Sequence, residues 1–291
     1  MKPQHSLRNP HPGTHRLWRI IPLLVLALGT LPLAPMPLAA ATFFGTPQFA
    51  QQYAMGEAIT PNFWGPLATA REPQTEAYAE GSAGAICHPM QACAQYILAG
   101  RRHVQYFDKA RMEQNAPGSP VTNGLLAVEL ISGRVQTGNA KYEQRQPAMI
   151  TAVGDASNAF PTYADFARWQ TATQPHTDPV VTLAQPDGSV STYTGAMSDP
   201  LTVIGATDTG TAHPIPLAFS QFRDKAGVST VGLAITDAAW VRVNVGGMPR
   251  TVLVQAFERR VLTYTPDNPD PYKVEFGNIG VHYYQWRYPS G

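Results

Sequence analysis

The sequence predicts an α+β fold with predominantly antiparallel β-structure, arranged as two related β-rich units with short entrance helices. The chain of 291 residues contains 24 Gly and 27 Pro, and only 14% of its residues are charged. Short runs of β-branched and aromatic residues alternate with these turn residues, which is typical of many short strands. Two similar phrases, VQYFDKARME from Val104 and VQAFERRVLT from Val254, indicate that the two units are related.

The first 41 residues have the pattern of an export signal. A basic region without acidic residues precedes the apolar run IIPLLVLALG, and small residues follow up to Ala41. The apolar run contains Pro22 and Gly29 and is shorter than the roughly 20 residues that cross a membrane. We therefore expect residues 1–41 to be a signal peptide and the protein to be secreted or held at the cell surface. Membrane contact is expected only if this segment is retained as an anchor.

The charge balance argues against two classes of partner. The chain has 21 basic and 20 acidic residues, and residues 1–41 contain four of the basic ones, so the remainder has 17 basic and 20 acidic residues, a net charge of −3. A negative chain does not provide the basic field that nucleic acid or an anionic membrane surface requires.

Beyond the signal, the sequence divides into an N-terminal β-rich unit (residues 42–138), a linker (139–161) and a C-terminal α+β unit (162–291). In the N-terminal unit, Thr46 followed by Pro47 predicts the start of a short helix. Two strands are then expected over AQYILAG and RRHVQYFDKARMEQ, and a further strand over LLAVELISG from Leu125.

The C-terminal unit begins with Thr162 and Asp165 in a capping-box pattern, which predicts a helix. A hairpin is expected at Asp187-Gly188, a helix from about Ile215 to Gly227, a second hairpin at Gly246-Gly247, and closing strands over YKVEFGNIGVHYYQWRY.

The two similar phrases are followed by similar landmarks. Each reads as a long strand, then a Pro-containing turn, then a strand with Val-Glu-apolar: Val128-Glu129-Leu130 in the first copy and Val274-Glu275-Phe276 in the second. A matching order with loops of different length favours a duplicated unit.

The same residues resemble a known group of proteins. VQYFDKARME and VQAFERRVLTYTPDNP…VEFGNIG…HYYQWRY are similar to the QxFER-type repeat modules of exported proteins from some environmental bacteria. The resemblance covers most of residues 95–291 and is strongest over Val252–Tyr288. It implies export and modular β-structure, and it implies no reaction. The first copy departs from the pattern, because Asp108 stands in place of Glu and APGSPVTNG in place of TPDNP.

The aromatic C-terminal segment HYYQWRY contains the main candidate for ligand binding. A strand there would place His282, Tyr284, Trp286 and Tyr288 on one face, where aromatic rings can stack on sugar rings. Arg287 or Gln285 would supply hydrogen bonds at the edge of this face. The alternative is that these side chains close the rim of the core.

A second candidate site is the loop ATDTGTAHPIP, in which His213 follows Asp208 by five residues. This pair suits a metal or acid–base chemistry, whereas the alternative is an ordinary solvated loop histidine. Asp267, Asn268 and Asp270 offer oxygen ligands for Ca²⁺, but their spacing misses the EF-hand pattern and fits an ordinary turn. We expect no metal site and no cofactor.

Two further pairs are expected to be structural. In an extended strand Glu258 and Arg260 point the same way and suit an ion pair, with Asp108 in the corresponding place of the first copy. Cys87 and Cys93 suit a disulfide in an oxidising compartment, with free thiols or a metal site using His88 as alternatives.

The functional expectation is therefore a non-catalytic binding or structural module of the cell surface or extracellular space, with glycan as the candidate ligand. The chain contains none of the common nucleophile, zinc-protease or nucleotide-loop motifs. One alternative is a secreted hydrolase that uses loop carboxylates, since glycosidases need only two carboxylates. The other is a passive envelope scaffold that associates with surface proteins through strand edges.

Overall fold

The computed structural model describes residues 44–77, 101–115, 118–137, 141–171 and 177–289. The expected export signal, the expected Cys87–Cys93 pair and the expected strand over AQYILAG lie outside these residues.

The first sheet has four antiparallel strands in sequence order and follows a helix. Helix α1 (Pro47–Ile59) begins at Thr46, whose side-chain oxygen accepts from the Phe49 amide at 3.2 Å, as the Thr-Pro start predicts. The strands are β1 (Gln74–Ala77), β2 (Arg101–Phe107), β3 (Ala110–Gln114) and β4 (Thr122–Asn123), and helix α2 (Leu126–Ser132) follows them.

The large sheet has six strands in the order β14-β13-β12-β11-β7-β8. Its strands are β7 (Thr182–Ala184), β8 (Val190–Thr192), β11 (Ala239–Val245), β12 (Met248–Ala256), β13 (Val261–Tyr264) and β14 (Val274–Phe276). Helix α3 (Tyr163–Thr171) precedes this sheet in the chain. Helices α4 (Leu217–Ala226) and α5 (Val228–Val231) precede β11, and helix α6 (Ile279–Arg287) follows β14.

Two short hairpin-like pairs complete the described strands. Strands β5 (Arg134–Gln136) and β6 (Tyr142–Gln144) pair with each other, as do β9 (Ile204–Thr207) and β10 (Pro214–Pro216). Every pairing between named strands is antiparallel except Trp240 of β11 with Leu183 of β7. The protein is thus an α+β fold with predominantly antiparallel sheets.

The large sheet separates two hydrophobic clusters because alternate residues of a strand point to opposite faces. Trp240, Leu253 and Leu262 enter the first cluster with α1 and α4, whereas Val241 and Val254 enter the second with α2, α3 and α6. Part of the expected linker also belongs to the second cluster, which includes the buried side chains of Ala148, Ala152 and Val153.

Several local predictions are confirmed. Thr162 and Asp165 form the capping box, since the Thr162 amide donates to the Asp165 carboxylate at 2.7 Å. The hairpins turn at Asp187-Gly188 and at Gly246-Gly247, and α4 ends before Gly227.

The phrase that occurs twice is a hairpin in both places, which corrects the expectation of one long strand. Strands β2 and β3 pair on either side of Asp108 and Lys109, with Phe107 opposite Ala110. Strands β12 and β13 likewise pair around the turn after Ala256. Neither turn contains Gly or an Asn-Gly pair, so no turn signal interrupts the β-rich pattern.

Two segments expected to be strands are helices. LLAVELISG forms α2, which ends at Gly133 with φ of +73°. The segment from Ile279, which includes most of HYYQWRY, forms α6. Tertiary packing of their buried sides against the sheets outweighs the strand tendency of their aromatic and branched residues. Val128-Glu129-Leu130 and Val274-Glu275-Phe276 therefore lie in elements of different type.

Among the described residues, two parts of the chain have a similar order of elements: a helix, four antiparallel strands and a final helix. The order is α1, β1–β4, α2 in one part and α4, β11–β14, α6 in the other, where α5 is an additional short helix between α4 and β11. Each terminal helix contacts the hairpin turn of the other part. The Val281 amide of α6 donates to the Asp108 carbonyl at 3.1 Å, and the Val128 amide of α2 donates to the Glu258 carbonyl at 3.3 Å.

The glutamines of the two phrases have similar surroundings. Gln105 and Gln255 are both fully buried. The Gln105 side-chain amide donates to the Arg71 carbonyl at 3.2 Å, and that of Gln255 to the Pro214 and Thr236 carbonyls at 2.9 Å each. These glutamines therefore link each hairpin to the chain beside it.

No helix within the described residues is both long and apolar enough to cross a membrane.

Candidate functional site

The aromatic residues near the C-terminus do not form one platform, which corrects the expectation for His282, Tyr284, Trp286 and Tyr288. On helix α6, residues four apart share a face, so Tyr284 and Tyr288 lie together with ring centroids 4.9 Å apart. Tyr284 also meets Tyr106 edge-on at 5.1 Å. All four side chains are half-buried, and they divide between two sides of the helix.

Trp286 and Arg287 of α6 contact the neighbouring segments around Arg145 and Gln136. The Arg145 guanidinium lies 5.7 Å from the Trp286 ring and donates to the Trp286 carbonyl at 3.1 Å. The Arg287 guanidinium donates to the Tyr283 hydroxyl at 2.9 Å and to the Gln136 carbonyl at 3.0 Å. Both side chains thus have structural contacts in place of the sugar-facing positions expected for them.

A buried ion network lies beneath α6. Arg111 bonds Glu113 through Nε at 2.7 Å and approaches Glu129 at 3.4 Å, and Arg102 also pairs with Glu113. Glu129 further accepts from the Tyr283 hydroxyl. These carboxylates are nearly inaccessible and fully engaged, so they are structural.

The expected ion pair of Glu258 with Arg260 does not form, because the chain turns between these residues. Glu258 instead accepts from Arg259 at 3.0 Å and from the Leu233 amide at 3.0 Å. Arg260 is fully buried between the rings of Trp64 and Phe276, each 5.0 Å from its guanidinium carbon.

Arg260 also donates to the Lys109 carbonyl and to the Asn123 side chain, and no carboxylate pairs with it in the described structure. Asp108, the expected counterpart in the first copy, accepts from the Thr69 hydroxyl at 2.9 Å. Burial and the nearby Arg259 lower the pKa of Arg260 to about 9, so its guanidinium is still protonated at neutral pH.

His213 and Asp208 do not form the expected side-chain pair. Both carboxylate oxygens of Asp208 accept from Arg223, at 2.8 and 2.6 Å, and one also accepts from the Ala234 amide. His213 Nδ1 instead lies 2.8 Å from Asp237, which is 24 residues further along the chain. The hairpin pairing of β9 with β10 holds Asp208 and His213 together only through the backbone.

Asp237 also lines a small cavity beside Trp169 on helix α3. The cavity has a volume of about 120 Å³ and a largely apolar lining that includes Val180, Ile204 and Pro214. No hydroxyl of the described residues is hydrogen-bonded to His213. The His213–Asp237 pair therefore lacks the bonded nucleophile of a hydrolase triad in this part of the chain.

The acidic turn after β13 has ordinary turn contacts. Asp267 lies 3.6 Å from Arg250, and the Asn268 side chain donates to the Tyr272 carbonyl at 3.0 Å. No group of three or more His, Cys, Asp or Glu side chains suited to a metal occurs among the residues that the structure describes.

A larger cavity, which we call the Lys109 cavity, lies beside strands β12, β13 and β14 of the six-stranded sheet. Its volume is about 370 Å³, within the about 300–1,000 Å³ typical of ligand sites. It is lined by strands β12, β13 and β14, the loop around Gly154, the β11–β12 turn and the start of α6. Its polar lining comes from Lys109, Arg250, Thr263, Thr265, Asn268, Glu275, Asn278 and His282.

Lys109 is the most unusual residue of this cavity. It is only 9% exposed, yet its ammonium forms no hydrogen bond or ion pair with any described residue. Burial lowers the pKa of Lys109, and the carboxylates of Glu275 and Glu57 oppose that shift without contacting the ammonium. A buried cation without a protein partner is costly unless water or a bound molecule in the adjoining cavity solvates it.

Several neighbours of Lys109 in the cavity are also unpaired. The side chains of Glu275, Thr265 and Asn278 have no hydrogen-bond partner within the described residues. His282 reaches the cavity wall from α6, and its Nδ1 lies 2.9 Å from the Tyr163 hydroxyl. Burial lowers the pKa of His282 to about 4, so its imidazole is neutral at pH 7.

Sequence reasoning identified His282 and missed Lys109, Glu275 and the cavity itself. Lys109 appears in the sequence as one more charged residue of a β-rich phrase, and Glu275 as part of a strand. Only the packing of the first hairpin turn against the large sheet brings them together. The one available signal is the departure of the first phrase, which has Lys109 where the second has Arg259.

Comparison with known proteins does not assign this site. No family model matches the chain, and no curated protein or solved structure is significantly similar to it.

Proposed function

We propose that this protein is an exported, non-catalytic binding module of the cell surface or extracellular space, and that it binds glycan in the Lys109 cavity. The observation that carries this proposal is the concentration of unpaired polar side chains around a cavity of about 370 Å³. Sugars present many hydroxyls, and Thr265, Asn278 and Glu275 are suited to bond them. The basic, then apolar N-terminal segment supports export.

The non-catalytic part of the proposal rests on how the acidic side chains are used. Asp208, Glu113, Glu129 and Glu258 are all held in structural pairs. Glu275 is the unpaired carboxylate of the cavity, and no second carboxylate lines it among the residues that the structure describes. A glycosidase requires two carboxyl groups on opposite sides of one bond.

The proposal also includes an internal duplication and a disulfide. The shared element order and the paired contacts of Val281 with Asp108 and Val128 with Glu258 support a duplicated unit. The spacing of Cys87 and Cys93 supports a disulfide formed after export, which thiol titration with and without a reductant tests.

Sedimentation with insoluble cell-wall and polysaccharide preparations tests the binding function. The protein exported by an expression host is compared with Thr265→Trp, which fills the cavity. Thr251→Trp, on β12 but outside the cavity lining, is the matched control. We expect the wild type and Thr251→Trp to sediment and the folded Thr265→Trp to remain in solution.

Other results would identify the competing functions. Release of reducing ends from the pelleted material by the wild type would indicate a hydrolase. Failure of the wild type to sediment with any preparation, together with self-association in solution, would favour a passive scaffold.

A further inference from the structure

We infer that the Lys109 cavity selects an anionic ligand, and that a saccharide carrying a carboxylate is the class that fits it. This inference rests on the proposed binding function and specifies its ligand.

The charges of the lining support an anion. Lys109 and Arg250 are cationic and Glu275 is the anionic residue among them, so the lining carries one net positive charge, whereas the chain after residue 41 is negative. Arg250 has only a loose partner, Asp267, at 3.6 Å, and the Asp267 side chain is 79% exposed. Two cations in this cavity are therefore available to an incoming anion.

The surroundings of Lys109 explain why the anion would bind there. The charged groups that act on its ammonium are Glu275 on β14, Glu57 on α1, and Asp108 and Arg260 in the hairpin turns. None forms an ion pair with it, so the ammonium has lost much of its hydration without gaining a partner. A ligand carboxylate would supply a charge-assisted hydrogen bond at a position already largely shielded from water.

The remaining lining favours a saccharide over a bare anion. Thr263, Thr265 and Asn278 also line the cavity, and Glu275 offers an acceptor that a small anion would avoid. A carboxylate-bearing sugar satisfies both requirements, because its carboxylate meets Lys109 while its hydroxyls meet Glu275 and the neutral groups. Inorganic phosphate shares only the anionic part of this chemistry.

Isothermal titration calorimetry with galacturonic acid, galactose and inorganic phosphate tests this inference on the full-length protein. We expect galacturonic acid to bind the wild type at least about tenfold more tightly than either galactose or phosphate. Lys109→Met keeps the buried stem and removes the charge, and we expect it to bind both sugars equally weakly. Lys273→Met, which removes a half-exposed lysine outside this cavity, should behave as the wild type.

Each contrary result has a separate meaning. Equal binding of galactose and galacturonic acid by the wild type would overturn the anionic inference and leave the proposed function standing. Phosphate binding as tightly as galacturonic acid would overturn the saccharide class. If Lys109→Met fails to fold, the comparison of galacturonic acid with its neutral methyl ester on the wild type decides, because equal affinity for the two sugars contradicts a charged contact. Absence of any saccharide binding, together with failed sedimentation, would overturn the proposed function itself.

Discussion

Gly280 packs directly against the carbonyl oxygen of Phe107, so closely that a side chain at this position would overlap the backbone. A β-carbon there would lie 2.6 Å from the Ala110 carbonyl oxygen and closer still to that of Phe107. Because of this contact the first turn of α6 lies against the β2–β3 turn. The backbone amides of Gly280 and Val281 donate hydrogen bonds to the Asp108 carbonyl. It also fixes α6, which carries His282 of the Lys109 cavity.

Gly280→Ala is therefore expected to destabilise the protein by about 3 kcal/mol, because the helix must move away from the turn. The matched control is Ala127→Gly in α2, which occupies the corresponding place in the first part of the chain and already carries a β-carbon. It should cost only about 1 kcal/mol, the usual cost of glycine in a helix. Urea denaturation measures both values. Equal costs would contradict the close packing at Gly280.

Arg260→Lys tests the aromatic cage of the buried guanidinium. The planar guanidinium of Arg260 lies between the rings of Trp64 and Phe276, whereas the ammonium of lysine is a compact charge that cannot stack. We therefore expect a loss of about 2 kcal/mol in unfolding free energy. The neighbouring Arg259→Lys should change stability by less than about 1 kcal/mol, because lysine can keep the half-buried pair with Glu258.

A double-mutant cycle tests whether Glu258 and Arg260 form the ion pair that the sequence suggests or have no contact, as in the structure. Because Glu258 does not contact Arg260, the effects of Glu258→Gln and Arg260→Lys should be additive. A coupling energy well above about 0.5 kcal/mol would show that these two side chains interact.

His282 gives the fold a specific acid sensitivity. Burial lowers its pKa from 6.5 to about 4, so the unfolded chain takes up a proton on this histidine at a higher pH than the folded protein does. The associated stability is complete above about pH 6.5 and is lost as the pH falls towards 4, by about 3 kcal/mol in all.

The measurement compares unfolding free energies at pH 7 and pH 4.5 for the wild type and His282→Gln. The variant should lose less stability between these two values, since glutamine takes up no proton. His103, whose pKa burial also lowers, remains in both proteins and contributes equally. The same pH dependence in both proteins would show that His282 is not the residue responsible.

Trp286→Ala is expected to weaken the fold and to leave ligand binding unchanged. Trp286 contacts Tyr283 and Arg145 away from the cavity lining, and its truncation should cost about 2 kcal/mol. Sedimentation with polysaccharide should be the same for the folded variant and the wild type. Loss of sedimentation in a fully folded Trp286→Ala protein would show that the aromatic residues near the C-terminus form the binding surface.

The sequence predicts those features of the fold that local chemistry determines. The caps at Thr46 and Thr162 and the turns at Asp187-Gly188 and Gly246-Gly247 depend on residues close together in the chain. The helices α2 and α6 could not be predicted, because their aromatic and branched residues also suit a strand and only packing between the two parts decides. The hairpin turns at Asp108 and Glu258 lack a glycine signal.

The candidate site was even less accessible to sequence reasoning. Lys109 and Glu275 are separated by more than half the chain, and the phrases that contain them do not indicate a shared site. His213 could be singled out as a loop histidine, but its partner Asp237 follows two intervening helices. Such pairs are defined by tertiary contacts alone, so no local pattern could indicate them.

The most direct test of ligand binding at the Lys109 cavity is competitive amine labelling followed by mass spectrometry. The full-length protein is treated with a limiting acetylating reagent with and without saturating galacturonic acid, and the modification of Lys109 is compared with that of exposed Lys225. We predict that the sugar protects Lys109 and leaves Lys225 equally reactive. Equal modification of Lys109 under both conditions, at sugar concentrations where binding is measured, would contradict the assignment of the ligand to this cavity.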